Sequence, residues 1–264
     1  MGFFTRPLAL LWRHRVLLWQ TTRNELRARY AGSVLGMTWL VFYPLLFLGI
    51  YTAIYLFVYQ VRSASFETPQ EFVALVFCGL IPFLGFAESL GSGLPSVSSN
   101  APLIKNTLYP VDLIPAKAVL VSQSTQLVGL GLLVAAVTVM GHLSWYILWL
   151  PVVWVLQVMF TLGLIWILSS LNVYLRDLQN VMAVVILMLM VASPIAYTLD
   201  MVPERMRFIL ALNPLYYIIT AYQDCVFLGR SPRLLWPLVG LGAGGFWVGH
   251  WFFNRMKKVF IDNV

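Results

Sequence analysis

The stretch "RNELRARYAGSVLGMTWLVFYPLL" sets three arginines, Arg23, Arg27 and Arg29, just ahead of a long apolar run. A guanidinium is always charged and donates through a planar fork that matches phosphate or carboxylate. Arg23 and Arg27 stand one helical turn apart, so their forks share a face and can converge on one anion. Arg29 is rotated by about 200° from Arg27, towards headgroups, a neighbouring helix or Glu25. Positive charge here also holds this end of the run in the cytoplasm. Orientation and anion binding are both open. Downstream, Trp39, Tyr43, Phe47, Tyr51, Tyr55 and Tyr59 recur at every fourth position. A step of four advances about 40° round a helix, so the rings form a slowly winding ridge. Interfacial belts account for aromatics at the two ends of a membrane helix, but not for Phe47 and Tyr51 near its middle. A sugar polymer would offer C–H faces to the rings and hydroxyls to the tyrosines; packing against neighbouring helices is the other reading.

Other chemistries find no residues to carry them. No phosphate loop of the G-x-x-x-x-G-K-[ST] type occurs, and "GLGAGGFWVG" lacks its lysine and hydroxyl residue. The chain therefore cannot drive transport by hydrolysing ATP alone. An intramembrane serine protease would need glycine where "ESLGSG" has Leu90. The histidines His14, His142 and His250 are scattered, and Cys78 and Cys225 are few and far apart, so neither a metal site nor a disulfide framework is expected. Cys78, inside an apolar run, reads as a free buried thiol.

Of 264 residues, 60% are hydrophobic and only 10% charged. Charged residues make up about a quarter of a soluble globular chain, so lipid must be the solvent for most of this one. The net charge of +7 sits beside apolar runs, which points to anionic lipid and orientation rather than nucleic acid. No removable signal peptide is expected, because the arginine-rich N-terminus has no small-residue cleavage pattern.

Residues 6–31 predict an amphipathic helix lying on the membrane. Arg6, Arg13, Gln20 and Arg27 share a stripe at a seven-residue interval, joined by Arg23 and Asn24, while Leu8, Leu11, Trp12, Trp19 and Leu26 fill much of the rest. Six runs follow with about the 20 residues that cross a bilayer, at 34–59, 72–95, 113–140, 145–171, 181–197 and 234–253. An even number puts both termini on one side, and the concentration of basic residues makes that side cytoplasmic. Within the spans, Glu88, Lys117 and the run from Ser122 through Gln123, Ser124 and Thr125 to Gln126 line a hydrated pathway or bond helix to helix. Two connections are unusual. Residues 96–112 carry a short amphipathic piece, and 198–233 contains "NPLYYIITAYQDCVFLG", apolar but too short to span, which predicts a re-entrant helical pair.

The fragments "NELRARYAGSVLGMTWLVFYPLL", "GLIPFLGFAESLGSG", "SNAPLIKNTLYPVDLIPAKAV", "NVYLRDLQNVM", "ASPIAYTLDMVP" and "LNPLYYIITAYQD" resemble, in this order, the permease subunit of type-two ABC exporters. They are most similar to its polysaccharide branch, the Wzm-like O-antigen and capsule exporters, and the match covers nearly the whole chain. The resemblance implies an all-α integral membrane protein in a bacterial inner membrane. It implies an interface helix over 1–33 and a six-span domain over 34–264. It implies a homodimer bound to two cytoplasmic ATPase subunits that hold the ATP and magnesium, with no cofactor in this chain and no catalytic residue. A coupling helix over about 96–110 would dock on the ATPase through Asn100, Leu103, Ile104, Lys105 and Leu108. Re-entrant gate helices over about 203–229 would place Asn213, Pro214, Tyr216 and Tyr217 at the periplasmic mouth. The cargo implied is a polysaccharide on an undecaprenyl pyrophosphate carrier. Arg23, Arg27, Arg29, Trp39, Tyr43, Phe47, Tyr51 and Tyr55 are then the substrate-binding candidates. Capsule, teichoic acid precursors or small hydrophobic drugs are the alternative cargoes for the same architecture.

Overall fold

A computed structural model describes residues 6–54, 69–100, 102, 109–197 and 202–260, and every regular element among them is helical. The predicted N-terminal helix is present but kinked. α1 (Arg6–Arg13) and α2 (Arg15–Arg29) meet at His14, whose φ of −102° and ψ of 17° leave the helical region. Arg15 folds back over the kink, donating to the Trp12 carbonyl at 3.0 Å with its guanidinium 4.7 Å from the Trp12 ring centroid. Leu8, Trp12, Val16 and Trp19 form an exposed apolar stripe, while Leu18 and Thr22 are buried against the body.

α3 (Trp39–Ala53) begins later than the run from residue 34 suggested. Gly36 takes a φ of +53°, a left-handed conformation that no α-helix contains, so the chain enters through a 3₁₀ turn at Gly36–Thr38. α4 (Pro69–Gly93) leads to the short α5 (Ser96–Ser99), and α6 (Leu113–Val139) to a 3₁₀ turn, Trp145–Trp149, and α7 (Leu150–Asn172). α8 (Leu178–Ala192) stops five residues short of the expected 197. Ser193 precedes Pro194 and is forced to extended backbone, with ψ 147°. α9 (Glu204–Ala211) and α10 (Pro214–Tyr222) form a helical pair, closed by a π turn at Gln223–Phe227, before α11 (Leu235–Phe260).

Among the described residues, three helical stretches, Gln70–Gly93, Leu113–Val139 and Trp145–Asn172, are long and apolar enough to cross a membrane; Gly36–Ile50 and Leu178–Ala192 are shorter apolar helices. Side-chain pairs mark two ends of the bundle. Glu25–Lys117, Arg29–Glu88 and Lys257–Asp112 lie at the end beside α2, and His142–Glu71 at the other.

α7 and α11 touch backbone to backbone. A Cβ on Gly163 would stand 2.2 Å from the Gly245 carbonyl oxygen, and one on Gly249 would stand 2.1 Å from that of Gly163. Gly242, Gly245 and Gly249 of "GLGAGGFWVG" therefore act in helix packing, as small residues commonly do inside membranes. Cys78 and Cys225 are free and buried. α8 buries none of its side chains, and Val184, Leu187, Met188 and Val191 are exposed along it.

Candidate functional site

Beside the C-terminal end of α2 lies a cavity of about 550 Å³. Arg29, Tyr30 and Ser33 form its rim, Trp39, Tyr43 and Phe47 of α3 one wall, and Ile81, Leu84 and Glu88 of α4 another; Thr125, Gln126 and Gly129 of α6 close the back. The four-residue aromatic spacing is why three rings reach one space. Tyr43 and Phe47 stack with centroids 6.0 Å apart, and the Trp39 indole donates to Ser33 Oγ at 3.0 Å. On the rim, Arg29 is ion-paired with Glu88, and both side chains keep part of their surface open, 43% and 26%. Burial raises the Tyr30 phenol above its ordinary value, with Arg29 pulling it down and Glu88 adding to the rise, so it stays a neutral donor. An apolar chamber with charge only at its lip fits an amphiphile, with the anionic end at Arg29 and the rest against rings.

Four of the eight substrate-binding candidates, Arg29, Trp39, Tyr43 and Phe47, thus come together. Arg23 and Arg27 do not join them: both are exposed on α2 and line no part of the cavity. Of the alternatives open to Arg29, the neighbouring helix holds, since its partner Glu88 is on α4; Glu25 instead pairs with Lys117 of α6 at 2.5 Å. Tyr51 belongs to α3, and Tyr55 lies outside the described residues.

The polar run on α6 chiefly bonds helix to helix. Gln123 donates to Ser89 Oγ at 3.3 Å and accepts from the Trp154 indole at 3.1 Å, and Ser122 and Ser92 share a bond of 3.1 Å. Gln126 and Gln157 exchange bonds of 2.8 and 3.0 Å, and the Tyr222 hydroxyl donates to Gln157 Oε1 at 2.7 Å. Gly85 makes this possible, since a Cβ there would meet Gln126 Oε1 at 1.9 Å. Only Thr125 and Gln126 of that run line the cavity.

At the opposite end, Asn213 caps α10, accepting from Leu215 N at 2.9 Å and donating to Ser193 Oγ at 2.9 Å, with Pro214 in the first helical turn. Tyr216 is buried, and Tyr217 donates to the Ala211 carbonyl at 2.9 Å, bracing α9 against α10. Of the coupling candidates, Asn100 closes α5 by donating to the Ser96 carbonyl at 2.8 Å; Leu103, Ile104, Lys105 and Leu108 lie outside the described residues.

The profile of the family described as ABC-2 type transporter matches residues 16–227, most of the chain and all of the cavity. The chain belongs to the ABC-2 type transporter family. It is therefore the membrane subunit of a transporter, a multi-pass membrane protein and not a catalytic chain. It is 34% identical over 251 residues, covering 93% of this chain and 94% of the relative, to the O-antigen export system permease protein RfbA of Klebsiella pneumoniae. A second Klebsiella pneumoniae protein of that name is 33% identical over 217 residues, covering 81% of each chain. The RfbA permease of Myxococcus xanthus is 28% identical over 260 residues, covering 96% of this chain and 97% of the relative.

Sequence reasoning missed Tyr30 and Ser33 as rim residues of this ABC-2 chain, and it left Glu88 without its partner. A carboxylate inside an apolar run was the available signal, because such a group demands a cation. It also missed the pair between Asp112, which is 1% exposed, and Lys257 of α11.

Proposed function

We propose that this chain is the six-span permease of an exporter that moves O-antigen polysaccharide across a bacterial inner membrane, from cytoplasm to periplasm. The observation that carries this reading is its similarity, over nearly full length, to permeases named for O-antigen export. The cavity supports it: aromatic walls suit a glycolipid, and an arginine at the lip suits the pyrophosphate of an undecaprenyl carrier. The α2 end faces the cytoplasm on this reading, because the basic residues crowd there. Two copies of the chain enclose the path, and α3 and α8, with their exposed apolar faces, meet the partner copy or lipid. ATP and magnesium belong to two separate ATPase subunits, which dock on residues 96–110. The helical pair α9–α10 gates the periplasmic mouth.

Deleting the gene and analysing the surface polysaccharide tests the cargo directly. Loss of surface O-antigen, with undecaprenyl-linked polymer accumulating inside and rescue by the intact gene, is the expected result. Normal O-antigen with a missing capsule or teichoic acid would overturn the cargo and leave the architecture.

A further inference from the structure

Among the described residues, three polar ties at a four-residue interval hold α2 to the rest of the molecule. Thr21 shares a hydrogen bond of 3.4 Å with the Tyr109 hydroxyl, Glu25 pairs with Lys117 at 2.5 Å, and Arg29 pairs with Glu88. Positions 21, 25 and 29 lie on one face of a helix, which is why all three can reach inwards while Arg23 and Arg27 stay outside. The destinations differ. Tyr109 stands just before α6, Lys117 sits in the first turns of that helix, and Glu88 sits near the end of α4 at the cavity rim. Between Thr21 and Arg29 the helix is uninterrupted and about 12 Å long. A displacement at Tyr109 is therefore carried to the rim by a stiff element.

We infer that α2 is a strut and that the Arg29–Glu88 pair is a latch that closes the cavity mouth, released when the strut moves. The pair bridges two elements across the rim and is partly solvent-exposed, so it opens at little cost. The cavity back is built differently: Gln126, Gln157 and Tyr222 are almost wholly buried and bonded to one another, so that wall stays fixed while the lip moves. The latch rests on the geometry alone. That ATP hydrolysis pulls the strut rests on the exporter reading.

The test is thiol labelling of Thr125→Cys in the assembled complex, in membranes, with Cys78 and Cys225 replaced by alanine. Thr125 lines the cavity and its hydroxyl is buried, so a small water-soluble maleimide should label a cysteine there slowly. Glu88→Gln should speed labelling about five-fold or more by shifting the population towards the open mouth. The exchange Arg29→Glu with Glu88→Arg should return it to within about two-fold of the parent, because the pair is restored with its polarity reversed. Glu25→Gln should also speed labelling, although Glu25 does not line the cavity. Parent-like labelling of Glu88→Gln, or an exchange variant as fast as Glu88→Gln, overturns the latch; parent-like labelling of Glu25→Gln overturns the strut. Membranes retaining only Cys225 serve as the control for unfolding, and a Glu88→Gln effect shared by that buried thiol also overturns the latch. None of these measurements needs ATP or cargo. If ATP leaves the parent rate unchanged while Glu88→Gln still labels faster, ATP hydrolysis does not pull the strut and the latch stands.

Discussion

Gln126 and Gln157 hold each other across the bundle by reciprocal amide bonds of 2.8 and 3.0 Å. Tyr222 adds a third partner, and Gln157 donates onward to the Pro82 carbonyl at 2.9 Å, so one knot joins α4, α6, α7 and α10. Gln126→Leu frees Gln157 from one partner and leaves buried polar atoms unpaired. The expected loss is about 1 kcal/mol, since bonds between membrane helices average well under the cost of stranding a polar group in a soluble core. Gln126→Leu combined with Gln157→Leu should lose less than the sum of the two single changes. Denaturant unfolding in detergent micelles measures it, and strict additivity would sever the proposed coupling.

The backbone contact of α7 with α11 makes a steric prediction. Gly163→Ala or Gly249→Ala places a methyl group against a carbonyl oxygen of the facing helix. The two helices must move apart to admit the methyl group and lose packing along the seam, so each change should cost about 1–3 kcal/mol. Gly244→Ala, on the same helix with no atom within 4 Å of the added carbon, should be neutral within about 0.5 kcal/mol. Thermal unfolding of the three variants in one detergent decides, and an equal loss in all three would refute the contact.

Lys257 reaches from α11 to Asp112 just before α6, where the carboxylate is buried and the Trp166 indole donates to the Asp112 carbonyl at 3.1 Å. Lys257→Met strands that carboxylate and should destabilise the fold by about 3 kcal/mol, the low end for a broken buried pair because Lys257 keeps 28% of its surface. Adding Asp112→Asn should recover most of the loss. A double variant no more stable than Lys257→Met would mean that the charge pairing contributes little.

These three relationships mark where the sequence stopped being legible. Among the described residues each of the six apolar runs contains a helix, because apolar length and the helical period are local properties of the chain. Starts and stops were less visible. Gly36 and Pro194 each moved a boundary by a handful of residues, and both are turn signals lying inside apolar stretches. The aromatic ridge was readable because four-residue spacing is local, and half of it does face one cavity. Arg29 was not assigned its partner, because the rotation of α2 about its axis depends on Glu88, 59 positions away. The glycines of α11 were read only for what they lack, since nothing in a sequence shows that Gly163 lies opposite them.

The last prediction separates the three arginines that open the chain's first long apolar run. Arg29 stands on the cavity lip with Glu88, whereas Arg23 and Arg27 are exposed on α2 outside the cavity. Lysine keeps the charge, and hence the orientation in the membrane, but removes the planar fork that grips two phosphate oxygens at once. If the carrier's pyrophosphate loads at the lip, Arg29→Lys should lower surface polymer several-fold, while Arg23→Lys with Arg27→Lys stays within about two-fold of the parent. The same variants should assemble with the ATPase to parent levels, because none of the three side chains is buried. Surface polysaccharide gels, read beside the amount of co-purified ATPase, give both quantities from one culture. A normal polymer level in Arg29→Lys, with a collapse in the Arg23 and Arg27 variant, would move the anion site to the outer face of α2, where two guanidinium groups one turn apart could share a phosphate.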